Sequence, residues 1–348
     1  MGFLSAGHKD HAAGDGCMMK AILDLYYATG DERYFLYVRD FLDYYINGNF
    51  LTDEYCLASV SVGKPLFDLF NITGDTKYKN VIDHIYGQLI NQPKTKTGIF
   101  WHEKSQPNQV RLEGFYMIQP FFAQYEAMFN QNKNYRDVFK QFKKIYETMR
   151  DPATGLYFHG YDESCEMFWA DVETGTSQNF WSASLGYYAM ALVETADKLD
   201  ERFFYEYMIL QSYLKELLDA LLVYADSETK LFYQITNESG REGNYLETSG
   251  SAAVAYAFMK GARKGYLPKY YFDYGREIFD SLVEHKLTND GKLTDICVPA
   301  GLGGNSPYSS GLLRDGSYSY YVSEPKTANS AKGLAPFISA YAECQNRL

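Results

Sequence analysis

The sequence predicts an all-α fold, an (α/α)6 barrel built from helical hairpins. The turn at residues 28–34 recurs at residues 72–78, and both copies have a glycine that ends one helix and an aspartate that caps the next. The helix before each turn is apolar on most faces, whereas the helix after it is amphipathic. This alternation is typical of an inner and an outer helical layer. Repeats alone do not require closure, so an open solenoid is the alternative.

The same pattern places the helices along the chain. In order, the predicted elements are inner helices at residues 17–27 and 60–71, weaker hairpins at 109–149, 179–224 and 247–287, and a final unpaired helix at 332–344. The helix after the first turn has apolar residues at three- and four-residue spacing, such as Tyr37, Phe41 and Tyr44. Eleven helices are therefore expected in a single domain over residues 1–348, and a twelfth, N-terminal helix is left open.

Long links between the hairpins are predicted to build one functional face of the barrel. These links are residues 48–57, 93–108, 152–178, 226–246 and 287–331. They are rich in aromatic residues or glycine, and loops of such length usually carry function. Within them, residues 231–235 are expected to pair locally as a strand.

Composition excludes several classes of function. The formal charge of −11 and the lack of a basic stripe argue against nucleic acid as a partner. The five scattered cysteines lack C-x-x-C spacing, which predicts reduced thiols. No leader-like start and no long apolar run is present, so a cytoplasmic protein without a membrane partner is expected. Neither a P-loop nor an H-E-x-x-H motif occurs, and we expect no cofactor and no metal site.

The segment around Glu113 gathers titratable, aromatic and amide groups. Pro107 blocks a helix before it, and residues 109–129 are predicted as one apolar-rich helix with Glu113 about one turn from its start. The helix dipole favours ionised Glu113, whereas desolvation by the surrounding rings favours the protonated form. Glu113 is therefore the candidate for acid chemistry.

Other candidate residues lie in the links. His102 and His159 follow aromatic residues in two different links, where each is either a ligand-binding residue or a satisfied structural histidine. Trp169 and Trp181 precede the fourth inner helix, and their rings would either stack on a sugar or begin the helix. Charged residues that flank the last inner helix would either meet an anionic substrate or be simply solvated; they are Arg314, Asp315, Glu324 and Lys332.

With these features in view, the chain resembles the family 105 glycoside hydrolases, the unsaturated rhamnogalacturonyl hydrolases. The resemblance covers nearly the whole chain and includes the element Trp-His-x5-Asn-Gln-Val-x2-acid-Gly-x-Tyr-Met at residues 101–117. It implies an (α/α)6 barrel that acts on oligosaccharides whose terminal uronate carries a C4=C5 double bond. In the implied reaction an acid protonates C4, water adds at C5, and the hemiketal opens with loss of the neighbouring sugar.

The resemblance also implies roles for individual residues. The family's acid is an aspartate and falls at Glu113, which adds a methylene and is predicted to be catalytic. His102 and His159 would hydrogen-bond sugar hydroxyls, Trp181 and Tyr187 would stack on rings, and Arg111 would contact the substrate carboxylate. The full set of expected substrate-binding residues is His102, Glu103, Arg111, Met117, His159, Trp181 and Tyr187.

Several positions depart from the family pattern; in place of the family's W-G-R and G-W, the chain has Trp181-Ser182-Ala183 and Gly186-Tyr187. A second family aspartate falls at Ala58, an arginine falls at Ala183, and a lysine falls at Glu103. Two alternatives therefore stand beside the hydrolase: a non-catalytic member that binds carbohydrate, and a sugar epimerase that uses His102 and His159 from opposite sides. An oligosaccharide is the expected partner in the first two cases, and the protein is expected to be a monomer or a homodimer.

Overall fold

The computed structural model describes residues 9–48, 55–199 and 201–346, except for the side chains of residues 9–14 and 201. Part of the predicted link at 48–57 lies outside the described residues. The α-helices are α1 (Lys9–Thr29), α2 (Glu32–Asn47), α3 (Leu57–Val60), α4 (Gly63–Thr73), α5 (Thr76–Ile90), α6 (Gly114–Phe129), α7 (Tyr135–Thr148), α8 (Ser182–Ala196), α9 (Phe204–Val223), α10 (Thr248–Arg263), α11 (Tyr271–Lys286), α12 (Tyr318–Ser323) and α13 (Ala331–Gln345).

Six of the described helices form a closed inner ring. Each contacts the next in the order α1, α4, α6, α8, α10 and α13, and α13 returns to pack against α1. That last contact excludes the open solenoid, and the predicted (α/α)6 barrel is confirmed. The inner helices are strongly buried, as α8 shows, since none of its residues 182–196 is exposed.

Five further helices of the described chain surround this ring. Helices α2, α5, α7, α9 and α11 each pack against the inner helix that precedes them in the chain. Within the described residues, eleven helices of eleven or more residues are present, the number predicted from the repeat. The amphipathic pattern of the second helices therefore reflects their position between the inner ring and solvent.

The repeated turn has the predicted capping chemistry. Gly74 ends α4 in the left-handed conformation, with φ of 70°, and its N–H donates to the carbonyl of Phe70. Asp75 then caps α5 by accepting from the N–H of Lys77, and Asp31 caps α2 by the same bond from Arg33. These short turns keep each outer helix antiparallel to its inner partner.

Helices α8 and α10 approach each other unusually closely. A Cβ atom added at Gly186 would lie 2.7 Å from the carbonyl oxygen of Gly250, and one added at Gly250 would lie 2.6 Å from the carbonyl carbon of Ser182. Only glycine fits at both positions. The pair therefore sets the spacing between two neighbouring inner helices.

In the described parts of the links, three small antiparallel strand pairs lie at the N-terminal end of the inner ring. They are β1 (Gln109–Arg111) with β2 (Gly160–Asp162), β3 (Phe232–Tyr233) with β4 (Leu246–Glu247), and β5 (Ile296–Cys297) with β6 (Lys326–Thr327). The local strand predicted at residues 231–235 is confirmed by β3.

The prediction of a helix from residue 109 was wrong. Residues 109–111 form a strand because their backbone groups pair with residues 160–162, which are distant in sequence. Helix α6 begins at Gly114, so Glu113 is its N-cap residue and does not lie one turn inside the helix.

Two predictions from composition can be compared with the structure. All five cysteines carry free thiols, as predicted. Among the described residues, none of the helices combines the length and apolarity that crossing a bilayer would require.

Candidate active site

The candidate site lies where four inner helices begin. Glu113, Trp181 and Glu247 are the N-cap residues of α6, α8 and α10, and Lys332 is in the first turn of α13. Because every long link joins an outer helix to the next inner helix, all of these links meet at this end of the barrel. The predicted functional face therefore has a structural basis.

Pairing of β1 with β2 brings Glu113 to His159. The N–H of Leu112 donates to the carbonyl of His159 at 3.0 Å, directly after the ladder pair Arg111 and Gly160. Nε2 of His159 lies 3.2 Å from Oε2 and 3.4 Å from Oε1 of Glu113. The His159 side chain is fully buried, whereas the Glu113 side chain keeps 15% of its surface exposed.

The other ring nitrogen of His159 meets a tyrosine. Nδ1 lies 2.5 Å from the hydroxyl of Tyr321, a residue of α12. Because the carboxylate of Glu113 can only accept, we assign the Nε2–H as its donor, which leaves Nδ1 to accept from Tyr321. Glu113, His159 and Tyr321 thus form one hydrogen-bonded chain.

The electrostatics of this chain favour an ionised Glu113. Burial raises the pKa of Glu113, but the charge and hydrogen bond of His159, together with His102, outweigh it and bring the pKa to about 2. Burial lowers the pKa of His159 and of His102, against the attraction of Glu113. At neutral pH the carboxyl of Glu113 is therefore ionised, because its interactions with the two histidines outweigh the effect of burial on its pKa.

His102 lies beside the acid with an unused ring atom. Its backbone is held by Gln109, whose carbonyl accepts from the His102 N–H at 2.8 Å, and by Leu57, whose N–H donates to the His102 carbonyl at 3.1 Å. Its Nδ1 atom is buried without a hydrogen-bond partner, and Oε2 of Glu113 makes no bond of good geometry. Buried polar atoms of this kind are rare and often mark a ligand contact.

Trp181 supports His159 from the side. Its ring lies 4.7 Å from the His159 ring, and its Nε1–H donates to Oε1 of Gln234 at 3.0 Å. Only 2% of Trp181 is exposed. This placement supports a role in holding His159 and leaves direct stacking on a sugar a prediction.

The guanidinium group of Arg111 makes structural contacts with other links. Its Nη2 donates to the carbonyl of Leu302 at 2.7 Å and to Oε1 of Gln109 at 3.0 Å, and its guanidinium lies 4.8 Å from the ring of Trp169. Burial lowers the pKa of Arg111 to about 10. The side chain holds two links together, which gives no support to the prediction that it contacts a substrate carboxylate.

The remaining predicted residues have varied surroundings. Tyr187 donates its hydroxyl to the carbonyl of Lys332 at 2.6 Å, so its polar end braces the start of α13. Met117 is half-buried one turn after Glu113 on α6. Glu103 accepts from the hydroxyl of Ser105 at 2.8 Å and stays partly exposed.

Three other carboxylates near this face have structural tasks. Asp162 accepts from the N–H groups of residues 164, 166 and 167, and Asp171 accepts from those of residues 173 and 174. Glu247 is fully buried and accepts from Gly250 N–H and Cys297 N–H. Glu113 is therefore the carboxylate among these four with a buried oxygen that makes no hydrogen bond.

Two of the departing positions, Ala58 and Ala183, are small and buried. Ala58 lies in α3 with 8% of its surface exposed, and Ala183 is fully buried in the first turn of α8. In the part of the chain that the structure describes, no group of three or more His, Cys, Asp or Glu side chains could hold a metal ion.

Sequence reasoning missed Tyr321. It lies 162 residues from His159, and nothing in its own segment indicates the contact. Lys332 was noted as a charged flanking residue, but its closeness to Trp181 depends on how α13 closes the ring.

Comparison with known proteins identifies relatives of this chain. The family model described as Glycosyl Hydrolase Family 88 matches residues 10–348. Protein Atu3128 of Agrobacterium fabrum is 36% identical over 233 residues, which are 64% of this chain and 96% of that protein. The unsaturated rhamnogalacturonyl hydrolase YesR of Bacillus subtilis is 24% identical over 254 residues, which are 71% of this chain and 70% of that protein.

A solved structure of similar shape is that of a glycoside hydrolase from family 105 of C. acetobutylicum. Its TM-score is 0.89 at 36% identity, over 95% of this chain and 92% of that one. This similarity confirms the predicted resemblance to family 105 and agrees with the closed helical barrel.

Proposed function

Because this chain belongs to Glycosyl Hydrolase Family 88, we propose that it hydrolyses oligosaccharides whose terminal residue is an unsaturated uronate. Membership confirms the predicted glycoside hydrolase. The name of the relative YesR suggests fragments of rhamnogalacturonan as the substrate class.

One observation carries the assignment of the acid. Glu113 lies at the start of an inner helix with 15% of its side chain exposed; Nε2 of His159 is hydrogen-bonded to its Oε1 at 3.4 Å and lies 3.2 Å from Oε2, which makes no hydrogen bond of good geometry. A group in this setting can both give and take a proton. The neighbouring carboxylates Asp162, Asp171 and Glu247 are held by backbone N–H groups and are less able to do so.

An anionic substrate would itself favour the protonated form of Glu113. A uronate carboxylate placed near Glu113 would disfavour a second negative charge, and the sugar would exclude water; both effects raise the pKa of Glu113. The carboxyl then holds a proton for transfer to C4, which makes C5 electron-poor. Ionised Glu113 next takes a proton from water as its oxygen bonds to C5, and the hemiketal opens with loss of the neighbouring sugar.

The experiment that tests this function is turnover of an unsaturated disaccharide prepared with a rhamnogalacturonan lyase. We expect the absorbance of the C4=C5 bond to disappear as the second sugar is released. The matched control is the same disaccharide with its double bond reduced, which offers no alkene to protonate and should stay intact. Unchanged absorbance would contradict the proposal.

The same samples distinguish the two alternatives. Tight binding without turnover would favour the non-catalytic carbohydrate-binding protein. Uptake of solvent deuterium into a saturated sugar, without release of a second sugar, would favour the epimerase.

A cytoplasmic location, a single domain and a monomeric or homodimeric state remain part of this proposal. Light scattering on the purified protein would test the oligomeric state.

A further inference from the structure

We propose that Lys332 binds the carboxylate of the unsaturated uronate and so selects anionic substrates. This inference rests on the proposed function, since it assigns one contact within the same site.

The ammonium group lies over Trp181, the ring that packs against the histidine partner of the candidate acid. Nζ of Lys332 lies 4.0 Å from the centroid of the Trp181 ring. That ring is 4.7 Å from the ring of His159, which in turn contacts Glu113. In an unsaturated uronate the carboxylate is attached to C5, the atom next to C4, so its binding group must lie near the acid that protonates C4.

Lys332 has no carboxylate partner among the residues that the structure describes. Its Nζ donates to the carbonyl groups of Cys297 and Val298 over 3.3 Å and 3.5 Å, which are long bonds for a charged donor. Other cations of the same region are paired: Lys326 lies 2.8 Å from Asp295, and Arg314 lies 3.5 Å from Glu324. An ammonium group that has only carbonyl and ring contacts in this region is suited to an anionic ligand.

The guanidinium that was expected to meet the carboxylate is not free to do so. Arg111 donates to Leu302 and Gln109 behind the site and lies against Trp169. Glu103 is itself an acid and would repel a uronate. Lys332 is therefore the better placed of these three residues for the contact.

The position of Lys332 is fixed but electrostatically unfavourable. Tyr187 donates to its carbonyl at 2.6 Å and holds the first turn of α13 in place. A cation in the first turn is repelled by the positive end of the helix dipole. A bound carboxylate would offset this repulsion.

Binding of a carboxylate at Lys332 would also change how readily Glu113 and His159 hold a proton. Burial is the largest cause of the lowered pKa of His159, Glu113 opposes it, and the charges of Arg111 and Lys332 add to it. A carboxylate bound at Lys332 neutralises one of these charges and makes a proton on the Glu113–His159 pair more favourable. The bound substrate thus favours the protonated form of Glu113, the form that donates a proton to C4.

The test compares two substrates in two variants. Lys332→Met keeps the length of the side chain and removes its charge, and Lys332→Gln is a second neutral variant in case the first does not fold. The substrates are the unsaturated disaccharide and its methyl ester, which retains the double bond but lacks the carboxylate charge. Lys96→Met is the matched control, because Lys96 is an exposed lysine in a link at the same end of the barrel.

We expect the neutral variants to raise KM for the acid by about 10-fold to 100-fold, the range for a lost charged hydrogen bond, and to leave KM for the ester within about twofold. Lys332→Arg should recover most of the preference for the acid, and Lys96→Met should behave as the unmodified protein. The role of Lys332 would be overturned, and the proposed function would stand, if the unmodified protein consumes the unsaturated disaccharide and both neutral variants show an unchanged KM for it. An unmodified protein that consumes neither substrate would overturn both.

Discussion

Nε2 of His159 lies 3.2 Å from Oε2 of Glu113, although 46 residues separate them along the chain. The β1–β2 ladder creates this contact, and the hydroxyl of Tyr321 fixes the opposite face of the imidazole. The acid is thus positioned by two links and a short helix, outside the regular hairpin repeat.

Removing the Tyr321 hydroxyl should change the acid–base behaviour of His159. A hydrogen bond donated to Nδ1 stabilises the neutral imidazole, so Tyr321→Phe should raise the pKa of His159. The loss of one hydrogen bond, about 1 kcal/mol, should also lower kcat about fivefold. An NMR titration of the His159 ring, together with kcat, checks both effects.

A suitable control for that variant is Tyr320→Phe. It removes a hydroxyl from the adjacent ring, whose partners are Gly301 and Glu324, and should leave the His159 titration in place. Equal titration curves for Tyr321→Phe and the unmodified protein would contradict the assigned hydrogen-bond direction.

A second buried carboxylate, Glu194, should control stability at low pH. Tyr256 donates to it at 2.8 Å; burial raises its pKa, but the charges of Lys260, Lys20 and Lys64 outweigh this and lower it to about 2. A lowered pKa means that the stabilisation is present above the unfolded-state value near 4.5 and is lost as the pH falls toward 2.

Glu194→Gln should therefore lower the free energy of unfolding by about 3 kcal/mol at pH 7 and by much less at pH 3. Urea unfolding at both pH values is the measurement. Glu147→Gln is the control, because its partly exposed ion pair with Lys144 should contribute less than about 0.5 kcal/mol. A pH-independent loss at Glu194 would argue against an ionised carboxylate.

The close approach of α8 and α10 gives a packing prediction. Gly186→Ala places a methyl group 2.7 Å from the carbonyl oxygen of Gly250, which forces the helices apart and should cost about 1–3 kcal/mol. Gly87→Ala is the opposite case, since a Cβ atom there meets nothing within 4 Å on an exposed helix position. It should stabilise the protein by about 0.5–1 kcal/mol.

Thermal unfolding of the two glycine variants should thus give shifts of opposite sign. Similar shifts in both would mean that the α8–α10 contact tolerates a wider spacing.

The sequence predicts the hairpins well because their signals are local. Gly74 and Asp75 specify a turn from within a few residues, and helical periodicity specifies which face of α5 is buried. Closure of the ring could not be predicted from local signals, because it depends on a contact between α1 and α13, which lie at opposite ends of the chain.

The candidate site was predicted in part, for the same reason. Glu113 was identified from its motif, but its place on α6 was misjudged because the strand at residues 109–111 forms only with residues 160–162. Tyr321 could not be found, since its contact with His159 arises from packing between links. Local sequence patterns do not predict contacts between residues that are so far apart in the chain.

The most direct test of the central claim is single-turnover hydrolysis of the unsaturated disaccharide by Glu113→Gln, a change that keeps the shape of the side chain and removes its proton transfer. We predict that substrate affinity stays within about threefold, while the rate of loss of the double bond falls by about 100-fold to 10,000-fold, the usual contribution of a general acid. A Glu113→Gln protein that binds the disaccharide and consumes its double bond at the unmodified rate would contradict the assignment of Glu113 as the proton donor.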